Sequence, residues 1–329
     1  MTAAEAARSA FLEKRVLHAE NLPAEGARLD RFLADQPDFP SRAQLQRLIG
    51  EGRVLLNGRP AKASSKVRPG DRIEVELPDP IPDRALPEDI PLAILYEDEH
   101  LLVLDKPAGM LTHPYPGRMG GTLVNALLFH CRDLAGIGGK IKPGIVHRLD
   151  KLTSGVMVAA KNDAAHQGLA QQFKAHSLTR AYLALVHGRM EKERGTIQSV
   201  IGRHPRHRLK MTGRASRGKT AITHYQVKAR YPDFTLVECR LETGRTHQIR
   251  VHLSEAGHPL VGDPLYGGGR QPPSRLTPAQ HSALKHLKRQ ALHAYLLGFV
   301  HPVTGQRLEF TSEPPADFKA VLKALSQER

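Results

Sequence analysis

The stretch Gly144-Ile-Val-His147-Arg148-Leu149-Asp150-Lys151-Leu-Thr153-Ser154-Gly155 sets one aspartate among small and hydroxyl-bearing residues between apolar segments. That composition makes a tight turn, and a turn at a sheet end presents a carboxylate to a ligand. An isolated Asp followed by Thr and Ser also serves as a turn former or helix cap, and both readings stay open on these residues alone. A second polar cluster, Leu241-Glu-Thr243-Gly244-Arg245-Thr246-His247-Gln248-Ile249-Arg250-Val251-His252, follows a strand-like run. Here Thr246 is placed to cap a following helix, and Arg245 to pair with a carboxylate across the site. His247 and His252 stand five apart, without a Glu at zincin spacing or a third ligand, so no metal site is expected. The glycines of Gly136-Ile-Gly138-Gly139-Lys140 lack the Ser or Thr that a phosphate loop places after its lysine, and read as a plain loop.

These clusters need a scaffold, and its elements are legible. Strand-like runs over 101–104, 156–160, 182–186, 222–228 and 235–241 alternate with helical stretches over 121–129 and 163–175. That order predicts an α+β fold, a mixed and mostly antiparallel sheet with helices packed on it. Before it lies a smaller unit, expected over 28–77. Ser41 caps a short amphipathic helix ending near Gly50, Asn57-Gly58 marks a tight hairpin turn, and Gly70-Asp71 precedes the alternating strand Ile73–Leu77. Residues 78–91 hold five prolines in fourteen positions and read as a semi-extended linker. The catalytic unit is then expected over 92–329, and 1–27 as a frayed tail.

Composition narrows the partners. The 48 Lys and Arg against 33 Asp and Glu leave a net charge of +15, which favours a polyanion and salt-dependent affinity. Aromatics are only 5% with no Trp, which argues against a single-strand binder built on stacking platforms. No apolar run approaches the roughly 18 residues of a membrane span, and the first 15 residues lack the apolar middle of a secretory signal, so a cytoplasmic chain is expected. Cys131 and Cys239 are expected to be reduced core residues.

Residues Arg28 to Leu77 resemble the S4 RNA-binding domain, with Arg28-Leu-Asp30, Ser41-Arg42, Leu48-Ile49, Asn57-Gly58 and Gly70-Asp71 at its pattern positions. The resemblance puts Ser41, Arg42, Gln44, Arg47 and Arg53 where the module meets RNA. From Ile90 to Phe310 the chain resembles the RluA-type pseudouridine synthase family. Carrying this are HRLDKLTSG at His147–Gly155, KPAG…HP at Lys106–Pro114, YLALVHG at Tyr182–Gly188 and GRTHQIRVH at Gly244–His252. Within the family it most resembles the branch that modifies the helix 69 loop of 23S ribosomal RNA, through the fused S4 module, HPLVGDPLYGG at His258–Gly268 and RQALHA at Arg289–Ala294; Ser154 stands where that branch often has Thr.

By that resemblance Asp150 is the catalytic carboxylate, acting at ribose C1′, at uracil C6, or through elimination to a glycal-like species. Tyr182 matches the active-site tyrosine, Arg245 the basic partner of the aspartate, and Arg148 a side chain near the RNA backbone or in the space of the extruded base. Thr246, His247 and Gln248 fall in the same motif. Isomerisation at constant redox state implies no metal and no organic cofactor. The expected partner is 23S ribosomal RNA, naked or in a large-subunit precursor or assembled subunit, met by a monomer. Its target nucleotide must be flipped out of a folded loop, and Arg203, Arg206, Arg208, Lys210, Arg214, Arg217 and Lys219 are placed to help hold it. Besides a synthase of this family acting on a different ribosomal or transfer RNA site, two other readings are a catalytically silent RNA-binding assembly factor and, more remotely, a glycoside hydrolase. Intact Asp150, Tyr182 and Arg245 argue against the first, and the lack of a second carboxylate in the Asp150 motif against the second.

Overall fold

The computed structural model describes residues 13–20, 26–37, 39–77, 85–115, 117–131, 134, 142–270 and 272–327. The chain forms two compact units, Met1–Ile81 and Pro82–Arg329.

In the first unit, β1 (Glu13–His18), β3 (Val54–Leu56), β4 (Arg59–Pro60) and β6 (Arg72–Leu77) form an antiparallel sheet in the order β1-β6-β3-β4. Strands β2 (Ala27–Arg28) and β5 (Lys66–Val67) make a second small ladder, and helices α1 (Leu29–Ala34) and α2 (Arg42–Gly50) complete the unit. Leu29, Leu33, Leu45, Leu48, Val54, Ile73 and Val75 close one core. The expected helix and hairpin are present. Gln44 accepts the Ser41 N–H at 3.1 Å, and Asn57 and Gly58 both take positive φ, 54° and 75°, which a two-residue turn matched to the strand twist requires. The expectation of a tail through residue 27 is corrected. Residues 13–18 add a strand to β6, with Arg15 opposite Val75 and Leu17 opposite Ile73.

The second unit holds β7 (Ala93–Glu97), β8 (Leu101–Lys106), α3 (Leu123–His130), β9 (Ser154–Ala160), α4 (Asp163–Ala175), β10 (Thr179–His187), β11 (Arg194–Arg203), β12 (Met211–Thr212), β13 (Lys219–Arg230), β14 (Phe234–Leu241), α5 (Gln248–Glu255), α6 (Pro278–His286), β15 (Leu292–Val300), β16 (Arg307–Thr311) and α7 (Ala316–Ser326). One sheet runs β12-β11-β13-β14-β10-β15-β9-β8-β7, with β16 beside β15, and among the described strands β9 and β15 alone pair in parallel. This is the expected mixed, mostly antiparallel α+β fold. Two of its apolar clusters lie under α3, α4 and α5. One joins Leu104, Leu123, Leu127, Leu149, Tyr182 and Ile249, and the other joins Val156, Val158, Leu169 and Phe299.

The linker reading of 78–91 is also corrected in part. Residues 78–84 lie outside the described ones, but 85–91 are tied to the second unit. Asn125 Nδ2 donates to the Leu86 carbonyl at 2.8 Å, and Glu88 accepts the Gly121 N–H at 2.9 Å. Proline content restricts a chain to extended conformations without deciding whether it stands free.

Candidate active site

Asp150 sits in the turn that leads into β9, and the backbone on either side is fastened. The Thr153 N–H donates to the Asp150 carbonyl at 3.0 Å, and Thr112 Oγ1 to the Leu149 carbonyl at 3.0 Å. The Gly109 N–H donates to the Lys151 carbonyl at 2.8 Å, and Gln290 Nε2 to Thr153 Oγ1 at 3.2 Å. Beside it the parallel pairing of β9 with β15 requires Gly155. Its φ is +126°, and a Cβ there would lie 2.2 Å from the Ala294 carbonyl oxygen. The small residues of the motif thus let two strands meet closely and hold a carboxylate at their junction.

The cation on Asp150 is Arg250, in the first turn of α5. Its Nη1 donates to Asp150 Oδ2 at 2.9 Å, while Nε and Nη2 fork onto Asp263 at 2.7 and 2.9 Å. Arg250 is 4% exposed. Burial alone would depress its pKa, but the bonds to Asp263 and the charge of Asp150 outweigh this and raise it, so it stays charged. The expectation that Arg245 is this partner is therefore corrected. Arg245 lines the cavity, but its Nε donates to the Thr220 carbonyl at 3.0 Å. The two arginines stand five apart in one motif, and spacing alone did not tell which would reach the carboxylate. Asp263 and Tyr266, whose ring lies 5.0 Å from the Arg250 guanidinium, belong to the GDPLYGG segment that the sequence marked without giving it a role.

Tyr182 lies on β10, 9% exposed, with its side chain at the cavity. Burial pushes its pKa up, so the phenol is protonated at neutral pH. His247 opens α5 in the left-handed conformation, φ 58°, with Nε2 3.9 Å from Asp150 Oδ2 and Nδ1 2.9 Å from the Tyr266 hydroxyl. Burial lowers its pKa, partly offset by Asp150, and the ring is neutral at pH 7. Thr246 does not cap the helix. The cap position is His247, and Gln248 does the bracing, its Oε1 accepting the Arg245 N–H at 3.0 Å and its Nε2 donating to the Ile222 carbonyl at 2.9 Å. Arg148 is exposed at the rim, 3.3 Å from His113 Nε2.

Together these groups line a cavity of about 390 Å³. Two further side chains there escaped the sequence reading. Arg180, two residues before Tyr182 on β10, donates through Nη2 to the Glu242 carbonyl at 3.0 Å, and Phe173 of α4 carries its guanidinium 5.5 Å from the ring. The alternation of a strand places residues i and i+2 on one face, the signal that would have found Arg180. Behind the Asp150 turn, Lys106 is fully buried, its Nζ donating to the Pro107 and Met110 carbonyls at 2.8 and 3.0 Å. Burial lowers its pKa to about 7, with Asp150 opposing.

The basic segment 203–219 is a folded hairpin extension rather than a plain loop. Strand β12 pairs with the end of β11, the Met211 N–H donates to the Tyr266 hydroxyl at 2.8 Å, and the Gly213 N–H to Glu255 at 2.9 Å. The glycine-rich segment 135–141 lies outside the described residues. In the S4-like unit Arg42 bonds the buried Asp30 at 2.9 Å, and Arg47 and Arg53 flank Glu51 at 3.5 and 3.4 Å. Among the described residues one cluster has metal-ligating types, Glu97, His130 and Cys131, with donor atoms within 4.8 Å of one another. Lys161 already pairs with Glu97 at 2.8 Å, and none of the three lines the cavity.

A partly exposed, oriented carboxylate, a protonated phenol and a cationic wall suit nucleophilic or proton-transfer chemistry on part of an anionic polymer. The comparisons with known proteins agree. The family model described as RNA pseudouridylate synthase matches residues 100–255, and the S4 domain model matches residues 27–73. An uncharacterized RNA pseudouridine synthase of Bacillus subtilis is 47% identical over 298 residues, 91% of this chain and 94% of its own length. A protein of Zymomonas mobilis named ribosomal large subunit pseudouridine synthase D is 47% identical over 307 residues, with the same coverage of 91% and 94%. Among solved structures, human RNA pseudouridylate synthase domain containing 4 superposes with a TM-score of 0.56 at 26% identity, over 72% of this chain and 94% of that one. By these relatives, and by a matched family model that spans Asp150, Tyr182 and Arg250, the chain belongs to the RNA pseudouridine synthases, an isomerase family, and carries an S4 domain ahead of its synthase domain.

Proposed function

We propose that the enzyme converts uridine to pseudouridine in large-subunit ribosomal RNA, at several uridines of the helix 69 stem-loop, with Asp150 as the nucleophile and the target base flipped into the cavity. The observation that carries the chemistry is the fixed Asp150–Arg250 pair, 2.9 Å apart, in a cavity that also presents Tyr182. A carboxylate held this way spends little on orientation when the nucleotide arrives. The reaction breaks the bond between ribose C1′ and uracil N1, turns the ring and joins C1′ to C5, and the C5 hydrogen leaves as a proton. No electrons are gained or lost overall, so the chemistry calls for no cofactor.

The ribosomal substrate is supported by relatives named for the large ribosomal subunit in Zymomonas mobilis, Xanthomonas campestris and Pseudomonas aeruginosa, 43–47% identical. A net charge of +15 and the S4 domain fit a long folded RNA. The cytoplasm is the proposed compartment. Mapping pseudouridine in ribosomal RNA from cells lacking the gene tests the reading. Helix 69 should lose its pseudouridines, and purified enzyme should restore more than one of them. Intact helix 69 modification, with loss in transfer RNA or another ribosomal helix, would overturn the substrate and leave the family in place.

A further inference from the structure

Arg180 is a buried cation that the mechanism so far leaves idle. It is 8% exposed, it lines the same cavity as Asp150 and Tyr182, and among the described residues no carboxylate stands within ion-pair distance of it. Its Nη2 reaches only the Leu241 and Glu242 carbonyls at 3.4 and 3.0 Å, its Nε–H meets no acceptor, and the Phe173 face lies 5.5 Å away. Removing a guanidinium from water without a counter-ion is costly, and a protein tolerates it where an anion arrives later. The surroundings are shaped for the group. At Gly244 a Cβ would come within 2.8 Å of Nη1, so the missing side chain there leaves the guanidinium its present position.

Charge bookkeeping around the cavity points the same way. Among the described residues Asp150 and Asp263 share the arginine Arg250, whereas Arg148, Arg180 and Arg245 line the cavity with no carboxylate bound. Among the described residues the Arg245 side chain bonds the Thr220 carbonyl, and its charge opposes that of Arg180. Two like charges facing one small space are stable together when negative charge comes between them.

During isomerisation such charge appears on the base. When the C1′–N1 bond breaks, its electron pair goes to uracil and spreads over N1, O2 and O4. Asp150 holds C1′ meanwhile; the pair is consumed when C5 bonds to C1′ and that carboxylate leaves, the C5–H pair restoring the ring as its proton departs and N1 gaining a proton. We propose that Arg180, assisted by Arg245, is an anion receptor that holds the uracil ring while it is detached from ribose and negatively charged. This rests on the pseudouridine reading of the cavity and adds a residue that touches the reacting base. Donors aimed at charge present only in the transition state or intermediate raise turnover rather than affinity. A phosphate contact would do the reverse.

The test compares full-length wild type with Arg180→Met and Arg180→Lys on a helix 69 stem-loop carrying C5-tritiated uridine. Single-turnover tritium release, RNA affinity and thermal unfolding are measured on each protein. For the Met variant we expect release to fall about 100-fold or more, affinity to stay within about threefold, and the melting temperature to hold or rise, since a buried unpaired charge has gone. Lys should recover part of the rate. Wild-type release by Arg180→Met would overturn the proposal. So would a loss of affinity whose rate recovers at saturating RNA, which assigns Arg180 to a phosphate, or a lowered melting temperature in both variants, which assigns it to the fold. Silence of the wild type itself on this stem-loop counts against the ribosomal substrate. The same three proteins are then compared on bulk cellular RNA, where rate must again separate from affinity.

Discussion

Asp150→Asn keeps the volume of the side chain and its acceptor toward Arg250, and removes the negative charge and the nucleophilic oxygen. Tritium release should vanish while thermal unfolding stays near wild type, and RNA affinity should hold or rise because a charge that repels phosphate has gone. Release at the wild-type rate would return the motif to a structural turn. The two arginines of the GRTHQIR motif should separate just as sharply, because the structure gives them different work. Arg250→Met strands Asp263, whose side chain is fully buried, and should cost about 3–5 kcal/mol in urea unfolding as well as activity. Arg245→Ala loses one bond to a carbonyl and little else in the resting enzyme. Its stability should stay within about 1 kcal/mol of wild type, with the damage confined to turnover. Equal destabilisation by both would mean that Arg245 also carries the fold.

At the scale of elements, α5 is where sequence and structure diverge most instructively. Apolar periodicity and glycine punctuation located the strands and helices around it: β8, β9, β10, β13, β14 and α4 contain the expected ranges, and α3 begins two residues later than expected, at Leu123. What periodicity does not encode is rotation: which of several polar residues in one turn faces the cavity depends on how α5 packs. Thr246 looked like the cap, yet the chain enters the helix through a left-handed His247, leaving Thr246 exposed and turning Arg250 inward. Arg180 hid within an apolar strand for a related reason, since a charge at a buried position makes sense only once the cavity is closed by elements distant in sequence. The polar side of α5 also carries a pH response. His252 is 1% exposed, between Thr223 Oγ1 at 2.8 Å and Ser199 Oγ at 2.9 Å, and burial lowers its pKa to about 4. Unfolded, the ring takes a proton near pH 6.5, so the unfolded chain binds more protons between the two values and stability falls as pH drops from 6.5 toward 4. The loss from this one group should reach about 2 kcal/mol at pH 5. His252→Gln should be less stable at pH 7 but should flatten the decline, read from urea midpoints across pH 4.5–7. An unchanged slope would assign the acid sensitivity to other groups.

For the whole molecule the governing quantity is charge distributed over two units that each bury their own core. Leu29, Leu45 and Ile73 close one around the S4 domain, and Leu104, Leu149 and Tyr182 belong to another beneath the synthase cavity. Because each unit has its own apolar interior, removing one need not unfold the other. Deleting residues 1–77 should therefore leave a folded synthase domain whose chemistry at saturating RNA is close to wild type and whose affinity is reduced. The salt dependence distinguishes this from general damage. Every phosphate that the S4 domain neutralises releases counterions, so its loss should lower the slope of log affinity against log salt by about 0.7–0.9 for each contact removed. The domain does not offer all of its arginines for this. Arg42 is committed in part to the buried Asp30, whereas Arg47 and Arg53, beside Glu51 at 3.5 and 3.4 Å, keep side-chain surface open to phosphate. The structure thus argues for a contribution of a few phosphates rather than of every basic residue, and for a graded result when single arginines are replaced. Arg47→Ala and Arg53→Ala should each weaken binding uniformly across RNA sequences and trim the slope by about one, while Arg42→Ala should also lower the stability of the S4 domain by leaving the buried Asp30 with Arg28 and Gln46 alone. Binding of the truncated enzyme to ribosomal RNA as tight as that of the full chain at every salt concentration would show that the S4 domain is not a source of RNA affinity.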